Sequence, residues 1–377
     1  MIYLDNAATT GVKPQKVIYA VNNALRQYSA NPGRSGHVLS VKTQEQIYYC
    51  RKKCAKMFGA KDETAVIFTL NCTAALNTVI KGCLKSGDHV VVSSLEHNSV
   101  MRPLEHLKKD GVIDYDVAEV VFGDIQATYR AFERCIKDNT KLIVCTHASN
   151  VNGLIMPIEQ IGNMCKSRKI LFAVDAAQTA GVLNIDMQAM NIDFLCVAPH
   201  KGLYAPMGTG LLIANADIEK TIIQGGTGSD SGNLLQLPII PEGFESGTVN
   251  VPGICGVSAG VDFVNSVTMD YIHKKEMKIA RLLYERLYSL KNVITYTPYP
   301  DNASSVPVIP FNIAGMPSEE TARYLNVKDI AVRAGLHCAP SAHKRLGTLD
   351  GGAVRVSPSF FNSAADADML YKALKSM

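Results

Sequence analysis

The sequence contains no long apolar run and no large excess of charge of one sign. No apolar stretch approaches the roughly 18 residues of a membrane-spanning helix, and the start, Met1-Ile-Tyr-Leu-Asp-Asn6, lacks the basic and apolar regions of a signal peptide. The 38 Lys and Arg residues against 34 Asp and Glu residues give a net charge of +4, too small for binding nucleic acid through its phosphates. We therefore expect a cytoplasmic protein with no membrane and no nucleic acid as its partner.

Cysteine pairs with metal-ligand spacing are also missing. The ten cysteines include no CxxC pair. Cys50 and Cys54 share one predicted helix face, but no second cysteine pair and no HxxxH motif completes a metal site. A chain of this length does not depend on disulfides for its stability. The cysteines are therefore expected to be free thiols in a reducing compartment, and no metal is predicted.

The composition is that of a folded chain with more than one domain. Apolar residues make up 47% and charged residues 19% of the 377 residues, and the mean hydropathy is +0.06. These values exclude a disordered or collagen-like chain. At roughly 150 residues per domain, the length predicts about two or three domains.

Residues 60–250 alternate short apolar runs with amphipathic stretches, a pattern typical of βαβ units in a parallel sheet. The clearest predicted strands are 65–69, 89–93, 141–146, 170–174 and 194–197. The clearest predicted helices are 16–27, 43–58, 73–83, 100–110 and 125–138. We expect a large α/β domain of residues 13–250, with helices on both faces of the sheet and a ligand at the carboxyl ends of its strands.

The pattern changes near Pro252. Residues 253–290 are predicted to form one long or kinked helical region with a charged, exposed face. Short strands near 305–313, 330–334 and 352–357, a helix at 318–325 and a helix from Ala364 onward follow. They predict a smaller α+β domain of residues 251–377, together with residues 1–12. The Gly- and Ser-rich segment 224–233 is expected to be a flexible loop over the site.

Two strand ends carry residues suited to chemistry. Asp175 directly follows an apolar strand, where its carboxylate is costly to bury unless a cation such as a protonated pyridine nitrogen meets it. Taken alone, a helix N-cap is an equally good interpretation of Asp175. Lys201 lies just beyond another strand, in the turn Pro199-His-Lys-Gly202, where a partly desolvated amine can form a Schiff base. Taken alone, it is more often a surface lysine.

The strand-to-helix turn Asn71-Cys-Thr73 offers free N–H groups and a hydroxyl at the positive end of a helix, which suits a phosphate. An ordinary Thr N-cap is the alternative. His97 follows the next strand, where its imidazole can stack on a flat heterocycle or carry a proton. Taken alone, a solvent-facing loop histidine is the better interpretation.

The second domain contains Arg333-Ala-Gly-Leu-His-Cys338, followed by Arg355. A cysteine next to an imidazole and guanidinium groups suits a nucleophile, and a fixed arginine is a common bidentate clamp for a carboxylate. Against this interpretation of Cys338, most of the ten cysteines must be inert packing thiols.

The order of these motifs decides between the interpretations. A phosphate-binding Thr, a His, an Asp and a Lys at successive strand ends resemble the pyridoxal-phosphate (PLP) enzymes of fold type I, and among them the class V aminotransferase-like family. More narrowly, the chain resembles the cysteine desulfurases and selenocysteine lyases from end to end. The segments that carry this resemblance are Tyr3–Thr10, Glu96–Ser99, Ser149–Val151, Asp175–Gln178, His200–Lys201, Phe244–Thr248 and Arg333–Cys338.

The resemblance implies a seven-stranded-type, mainly parallel sheet and a PLP site. Lys201 would bind PLP covalently, Asp175 would keep the pyridine nitrogen protonated, and His97 would stack on the ring. The remaining cofactor contacts would come from Cys72, Thr73, Gln178 and His200. This chain departs from the family pattern at Cys72 and at Ala198-Pro199, because the family commonly has hydroxyl residues at these two places. Hydrogen bonds to the cofactor phosphate are therefore expected to be missing or replaced by water.

The resemblance also implies roles in substrate binding and sulfur transfer. Asn150 and Arg355, with Arg333 nearby, would orient the amino acid, and Cys338 would take its sulfur as a persulfide. Thr248 would reach the phosphate of a neighbouring subunit, which implies a homodimer with shared sites. A sulfur-acceptor protein is a further expected partner.

The leading hypothesis is therefore a PLP-dependent cysteine desulfurase that converts L-cysteine to L-alanine and supplies sulfur, for example for iron–sulfur clusters. A selenocysteine lyase, or another class V lyase or aminotransferase, is the alternative within the fold. A dinucleotide-binding dehydrogenase shares the sheet pattern, but no GxGxxG follows the first strand. A non-catalytic sulfur-relay scaffold is disfavoured because Lys201 and Cys338 are both present.

Overall fold

The computed structural model describes residues 1–33, 36–227 and 232–377, and within these ranges it contains both α-helices and β-strands. The strands are β1 (Ile2–Tyr3), β2 (Val66–Thr69), β3 (Asp88–Ser93), β4 (Ile113–Ala118), β5 (Thr140–Thr146), β6 (Leu171–Asp175), β7 (Phe194–Val197), β8 (Gly210–Ala214), β9 (Val293–Thr295), β10 (Ile309–Ile313), β11 (Ile330–Ala331) and β12 (Val354–Val356). The helices are α1 (Gln15–Gln27), α2 (Val38–Phe58), α3 (Cys72–Cys83), α4 (Asn98–Lys109), α5 (Ile125–Cys135), α6 (Ile158–Arg168), α7 (Val251–Val267), α8 (Met269–Tyr288), α9 (Ser318–Val327), α10 (Pro340–Leu346) and α11 (Ala364–Lys375).

The largest sheet has seven strands in the order β2-β8-β7-β6-β5-β3-β4. Adjacent strands from β7 through β6, β5 and β3 to β4 are parallel to one another. Strand β8 is antiparallel to both of its neighbours, β7 and β2. The predicted α/β class with a mainly parallel seven-stranded sheet is confirmed. Two smaller sheets, β12-β10-β9 and β1-β11, lie outside it, which agrees with an α+β texture in the last third of the chain.

Side chains of the central strands point alternately to two apolar layers, as the pleat of a strand requires. On β3, Val91 packs into one layer and Val90 and Val92 into the other. The first layer contains buried residues of α2, α6 and α7, and the second contains those of α3 and α4. The sheet is therefore covered on both faces, and its strand ends are the accessible places for a ligand.

The predicted helical region 253–290 consists of two helices, α7 and α8, that meet at Thr268. This residue has φ +75°, and its side chain accepts a hydrogen bond from the N–H of Tyr271 in the first turn of α8. Buried residues of α7 belong to the larger core, whereas most of those of α8 belong to the core of the smaller sheets. The domain limits at 250 and 251 stay a prediction.

The loop prediction for 224–233 falls partly on residues 228–231, which lie outside the described residues. Within the described ranges, no helix is both long enough and apolar enough to span a lipid bilayer.

Candidate active site

The carboxyl ends of β2, β3, β5, β6 and β7 surround a cavity of about 120 Å³. Parallel strands end at the same edge of a sheet, so residues distant in sequence meet there. Eight of the residues predicted for the site line this cavity: Cys72, Thr73, His97, Asn150, Asp175, Gln178, His200 and Lys201. The structure therefore brings together most of the predicted cofactor residues.

Lys201 lies in a tight turn after β7, and the turn fixes the start of its side chain. The N–H of Lys201 donates to the carbonyl oxygen of Ala198 at 3.1 Å. The next residue must be glycine, because a Cβ at Gly202 would lie 2.3 Å from the carbonyl oxygen of Ala180. Within the described residues, Lys201 Nζ forms no hydrogen bond or ion pair. Burial lowers the pKa of this amine, and the Asp175 carboxylate opposes the shift.

Asp175 ends β6 as a buried carboxylate with one oxygen already used. Its Oδ1 accepts from the N–H of Ala177 at 2.9 Å and from Cys72 Sγ at 3.6 Å. Oδ2 of Asp175 forms no hydrogen bond with a described residue and is therefore available to a ligand. Burial raises the pKa of the Cys72 thiol well above its ordinary value, so Cys72 is a neutral donor beside Asp175.

The first turn of α3 leaves donors unused. Asn71 caps this helix by accepting from the N–H of Ala74 at 2.9 Å. The N–H groups of Cys72 and Thr73 have no acceptor among the described residues. Two N–H groups at the positive end of a helix suit an anion.

His97 is the N-cap of α4 and lines the cavity with its ring. Its Nδ1 accepts from the N–H of Ser99 at 3.1 Å, so a neutral ring carries its proton on Nε2. Burial lowers the pKa of His97, and the Asp175 carboxylate opposes this shift. His97 is thus held as a neutral imidazole whose outer nitrogen is a donor. His97 is half-buried and lines the cavity, and its role toward a cofactor stays a prediction.

Residues that the sequence analysis left without a role surround the carbonyl oxygen of His200. It accepts from the N–H of Thr10 at 3.2 Å, Thr9 Oγ1 at 3.2 Å, Thr10 Oγ1 at 3.0 Å and Lys13 Nζ at 2.9 Å. Burial lowers the pKa of Lys13 to about 8 and that of the His200 imidazole to about 4. The N-terminal segment therefore fixes the peptide that precedes Lys201. In the sequence, the resemblance of the Tyr3–Thr10 motif to the family is the feature that indicates a role for this segment.

The N-terminal segment also reaches Gln178 and Arg355. Gln178 Nε2 donates to the carbonyl oxygen of Ala7 at 3.1 Å, which orients its amide at the cavity. Arg355 is 3% exposed, and its guanidinium donates to Asp5 Oδ1 at 2.8 Å and to the carbonyl oxygen of Asn150 at 2.9 Å. Its Nε is buried without a partner among the described residues. The predicted substrate arginine thus lies behind Asn150, next to the cavity.

Arg333 is separate from this cluster. It forms a backbone bridge with Arg355, but its side chain is 55% exposed and its guanidinium lies 3.9 Å from Asp5 Oδ2. Arg333 does not line the cavity, and a role in substrate binding stays a prediction.

Cys338 is exposed, and its loop is hydrogen-bonded to the wall of the cavity. The carbonyl oxygen of Cys338 accepts from the N–H of Asn98 at 2.7 Å, and that of His337 accepts from Asn150 Nδ2 at 2.7 Å. All ten cysteines are free and lie in described residues, and the other nine are buried or half-buried. Cys338 is therefore the exposed thiol among the ten, and hydrogen bonds of its loop place it beside this site.

Glu96 is a second group that the sequence analysis left without a role. It is fully buried, and its Oε1 accepts from Ser93 Oγ at 2.5 Å and from the N–H of Thr146 at 2.8 Å. These bonds tie the end of β3, which precedes His97, to the end of β5, whose Thr146 pairs with Asp175. Burial raises the pKa of Glu96 to about 8, so the carboxyl carries a proton at neutral pH.

Thr248 does not reach the cavity of Lys201 within one chain. It is exposed and lines a different cavity of about 570 Å³ together with Arg51 and Glu245. A contact between Thr248 and a cofactor therefore requires a second copy of the chain, and the shared site stays a prediction.

Comparisons with known proteins agree with this arrangement. Residues 2–370 match the family model described as aminotransferase class-V. Probable cysteine desulfurases from Methanothermobacter thermautotrophicus and Pyrococcus abyssi are 32% and 33% identical, over 99% and 100% of this chain and 94% of each relative. The apo structure of a cysteine desulfurase from Thermococcus onnurineus NA1 is 31% identical with a TM-score of 0.90, covering 100% of this chain and 94% of that one. The chain therefore belongs to the aminotransferase class-V family and, within it, to the cysteine desulfurases.

Proposed function

We propose that the chain is a PLP-dependent enzyme that converts L-cysteine to L-alanine and transfers the sulfur atom to Cys338. One observation carries this proposal. The half-buried amine of Lys201 lies with Asp175 in a cavity, and the Cys338 loop is hydrogen-bonded to the wall of that cavity. An amine and a carboxylate alone suit many PLP reactions. The accessible thiol beside them is the addition that desulfuration requires.

The donor set of the cavity fits PLP. Lys201 Nζ is a partly desolvated amine suited to the aldehyde, and Asp175 Oδ2 is suited to the protonated ring nitrogen. The two unused N–H groups at the start of α3, with Thr73 Oγ1, suit the phosphate. His97 lines the remaining wall. The cofactor, when bound, supplies an electron sink for the α-carbon of the substrate.

The protein groups provide the proton transfers around this sink. Burial lowers the pKa of Lys201, which raises the fraction of neutral amine able to act as nucleophile and base. His97, neutral with its proton on Nε2, is the second group that can donate a proton inside the cavity.

Substrate orientation is assigned to Asn150 and Arg355. The carbonyl oxygen of Asn150 already accepts from Arg355, and Asn150 Nδ2 already donates to His337. The Nε–H of Arg355 is a buried donor without a partner among the described residues, so a substrate carboxylate that reaches it gains a charge-assisted hydrogen bond. Burial lowers the pKa of Arg355, but Asp5 opposes this shift.

The sulfur transfer balances within the substrate and Cys338. The Cys338 thiolate attacks the substrate sulfur and forms an S–S bond. The C–S bond breaks with its electron pair going to the substrate carbon, which gains a proton and becomes the methyl group of L-alanine. Cys338 is left as a persulfide. A later thiol, on an acceptor protein, removes the outer sulfur and restores Cys338.

Mass spectrometry and a product assay test the proposal. After incubation with L-cysteine, the peptide that bears Cys338 should gain the mass of one sulfur atom, and alanine should form. Cys338→Ser should form no alanine from L-cysteine, whereas Cys135→Ser, a half-buried control, should behave like the parent. Undiminished alanine production by Cys338→Ser, or a sulfur adduct on another cysteine, would overturn the assignment. L-selenocysteine assayed in parallel distinguishes a selenocysteine lyase.

We also propose a homodimer in which Thr248 serves the partner's site. Thr248 is exposed and remote from Lys201 in one chain. Large apolar side chains are exposed along α2 and in the segment before Thr248, which suits burial against a second copy. These residues are Val38, Leu39, Val41, Tyr48, Tyr49, Ile223, Leu234, Leu235, Leu237 and Ile239. Light scattering should give about double the chain mass of 40.8 kDa, and a monomer with full PLP content would contradict the shared site.

The ten free thiols suit a reducing compartment such as the cytoplasm. An exposed persulfide at Cys338 also suits delivery of sulfur to an acceptor protein, as iron–sulfur cluster assembly requires.

A further inference from the structure

The backbone around Cys338 adopts a conformation that side-chain-bearing residues rarely take. His337 has φ +50° and Cys338 has φ +57°, both in the left-handed region. For residues other than glycine this region costs about 1–2 kcal/mol each. Two such residues in succession persist only where surrounding contacts hold them.

Main-chain contacts hold one side of this loop, and a buried histidine pair holds the other. His337 Nδ1 lies 3.0 Å from His343 Nε2, and the two ring planes are within 19° of each other with centroids 5.1 Å apart. His343 Nδ1 lies 2.8 Å from Thr348 Oγ1. His337 is 8% and His343 0% exposed. The side chain next to Cys338 is thus connected through two rings to the far end of α10.

The hydrogen bond between the rings requires at least one of them to be neutral. A neutral imidazole has one donor and one acceptor nitrogen, so one ring can donate to the other. Two imidazolium rings present only donors and repel each other. Burial, with the nearby Arg355 guanidinium adding to it, lowers the pKa of His337 to about 2 and that of His343 to about 4. The pair is therefore neutral at neutral pH, and the hydrogen bond is available.

We propose that His343 is a positioning residue for Cys338, which it holds through its hydrogen bond to the His337 ring. The bond fixes the His337 ring and, with it, the left-handed backbone of His337 and Cys338, whose carbonyl oxygens accept hydrogen bonds from Asn150 and Asn98 beside the cavity. Without it, the strained loop relaxes toward ordinary backbone conformations and the thiol becomes more accessible to reagents. The effect on turnover rests on the proposed function, whereas the effect on the thiol does not.

Two substitutions separate the hydrogen bond from simple packing. His343→Leu keeps a buried side chain but removes both ring nitrogens. His343→Gln places an amide nitrogen near the former Nε2, so it retains a partner for His337 Nδ1 while losing Thr348. Lys344→Met, on the adjacent exposed residue of α10, is the matched control.

The first measurement is the rate at which iodoacetamide alkylates Cys338 in the purified holoenzyme, followed by peptide mass spectrometry. We expect His343→Leu to raise this rate at least threefold, and His343→Gln and Lys344→Met to stay within about twofold of the parent. In the desulfurase assay, His343→Leu should lower kcat about tenfold with little change in KM, because binding groups are untouched, and His343→Gln should restore most of kcat.

Equal behaviour of the Leu and Gln variants, changed or unchanged, would overturn the proposal, because the ring nitrogen would then be irrelevant. If the alkylation rates follow the expected order in a protein that does not desulfurate L-cysteine, the positioning role stands and the proposed function fails.

Nitrogen-15 NMR of the parent provides a measurement that does not depend on the folding of a variant. The spectra of His343→Gln and of the parent identify the two ring signals. Both rings should show one fixed neutral tautomer from pH 6 to pH 8. Protonation of both rings within this interval, or free averaging of each ring between its two tautomers, would overturn the proposal even if His343→Leu fails to fold.

Discussion

Lys201 shows how a single residue exchanges stability for reactivity. Its side chain is half-buried, and its amine has no described partner beside a carboxylate that has one oxygen occupied. Burial of a polar group without a hydrogen bond costs free energy. The same burial lowers the pKa of the amine and so favours the neutral, nucleophilic form. The feature that suits Lys201 to bind a carbonyl cofactor therefore destabilises the protein when no cofactor is attached.

Replacement of Lys201 by methionine should abolish activity and stabilise the cofactor-free protein. Methionine has a similar length and no group that requires a partner, so Lys201→Met should raise the free energy of unfolding by about 1 kcal/mol. Urea denaturation of the PLP-free forms measures this change, and the alanine assay measures activity. Lys16→Met, on the exposed face of α1, is the control and should leave both unchanged. A destabilised Lys201→Met protein, or one that retains turnover, would contradict this account of the site.

Sequence reasoning identifies residues whose position follows from local pattern. Asp175, Lys201 and His97 each follow an apolar run, and parallel strands bring such residues to one edge. Asp5, Lys13 and Glu96 were not identified as site residues. Asp5 meets Arg355 across 350 positions of sequence, and the Lys13 contact to His200 spans 187. Contacts of that separation depend on tertiary packing, which no local pattern specifies.

At the level of elements, the sequence predicts one long or kinked helical region over residues 253–290, and the structure places a break between α7 and α8 within it. The helical periodicity runs through Thr268, so the pattern predicts one region. The break arises because Thr268 has φ +75° and ψ +139°, where its own side chain caps α8. A β-branched residue is strained in this conformation. The break at Thr268 allows α7 to pack in the larger core and most of α8 to pack in the smaller one.

Glycine at this junction should stabilise the protein. Thr268→Gly removes the strain, which is worth about 1–3 kcal/mol. The loss of the capping hydroxyl costs only a few tenths of a kcal/mol when glycine replaces it, and the added freedom of the unfolded chain costs about 0.5–1 kcal/mol. We expect a net gain of about 1 kcal/mol in urea denaturation.

Thr268→Ala is the matched control for that change. It loses the cap but keeps the strain, so it should destabilise the protein by about 1 kcal/mol. If the glycine variant is no more stable than the alanine variant, the junction is not strained.

The strands show the same limit of prediction at element level. β4 escapes a search for apolar runs because its sequence, Ile-Asp-Tyr-Asp-Val-Ala, is that of a half-exposed edge strand. β8 is fully buried. Its antiparallel position between β2 and β7 is not indicated by any sequence motif. Strand existence follows from local composition, whereas strand order follows from packing of the whole chain.

At the scale of the whole molecule, the two cores meet at a buried polar contact. Tyr204, just after the Lys201 turn, is fully buried and packs edge-to-face on Phe263 of α7, with ring centroids 5.1 Å apart. Its hydroxyl donates to Glu276 Oε1 on α8 at 3.3 Å. Glu276 is 4% exposed, and no cation is paired with it among the described residues. Burial raises the pKa of the Glu276 carboxyl to about 8, and the hydrogen bond from Tyr204 opposes this shift.

Burial of the Glu276 carboxyl makes the free energy of unfolding depend on pH. The pKa of the Glu276 carboxyl is about 8 in the folded protein and 4.5 in the unfolded chain. Its contribution to the free energy of unfolding is therefore complete below pH 4.5 and is lost as the pH rises through about 8. One such group contributes a decrease of about 3 kcal/mol in the free energy of unfolding between pH 5 and pH 8. Glu96, whose pKa is also raised to about 8, adds a second decrease in the same interval.

Glu276→Gln should remove one of these two contributions, because glutamine is the neutral counterpart of the protonated carboxyl and its carbonyl oxygen can accept from Tyr204. Near pH 5 the variant should match the parent within about 1 kcal/mol. At pH 8 it should be the more stable protein by about 3 kcal/mol. Urea denaturation at pH 5, 6.5 and 8 measures the difference, with the exposed Glu320→Gln as a control expected to follow the parent. If the parent and Glu276→Gln lose equal stability between pH 5 and pH 8, Glu276 is already ionised in the folded protein, and the contact between the two cores is an ion–dipole interaction rather than a hydrogen bond between neutral groups.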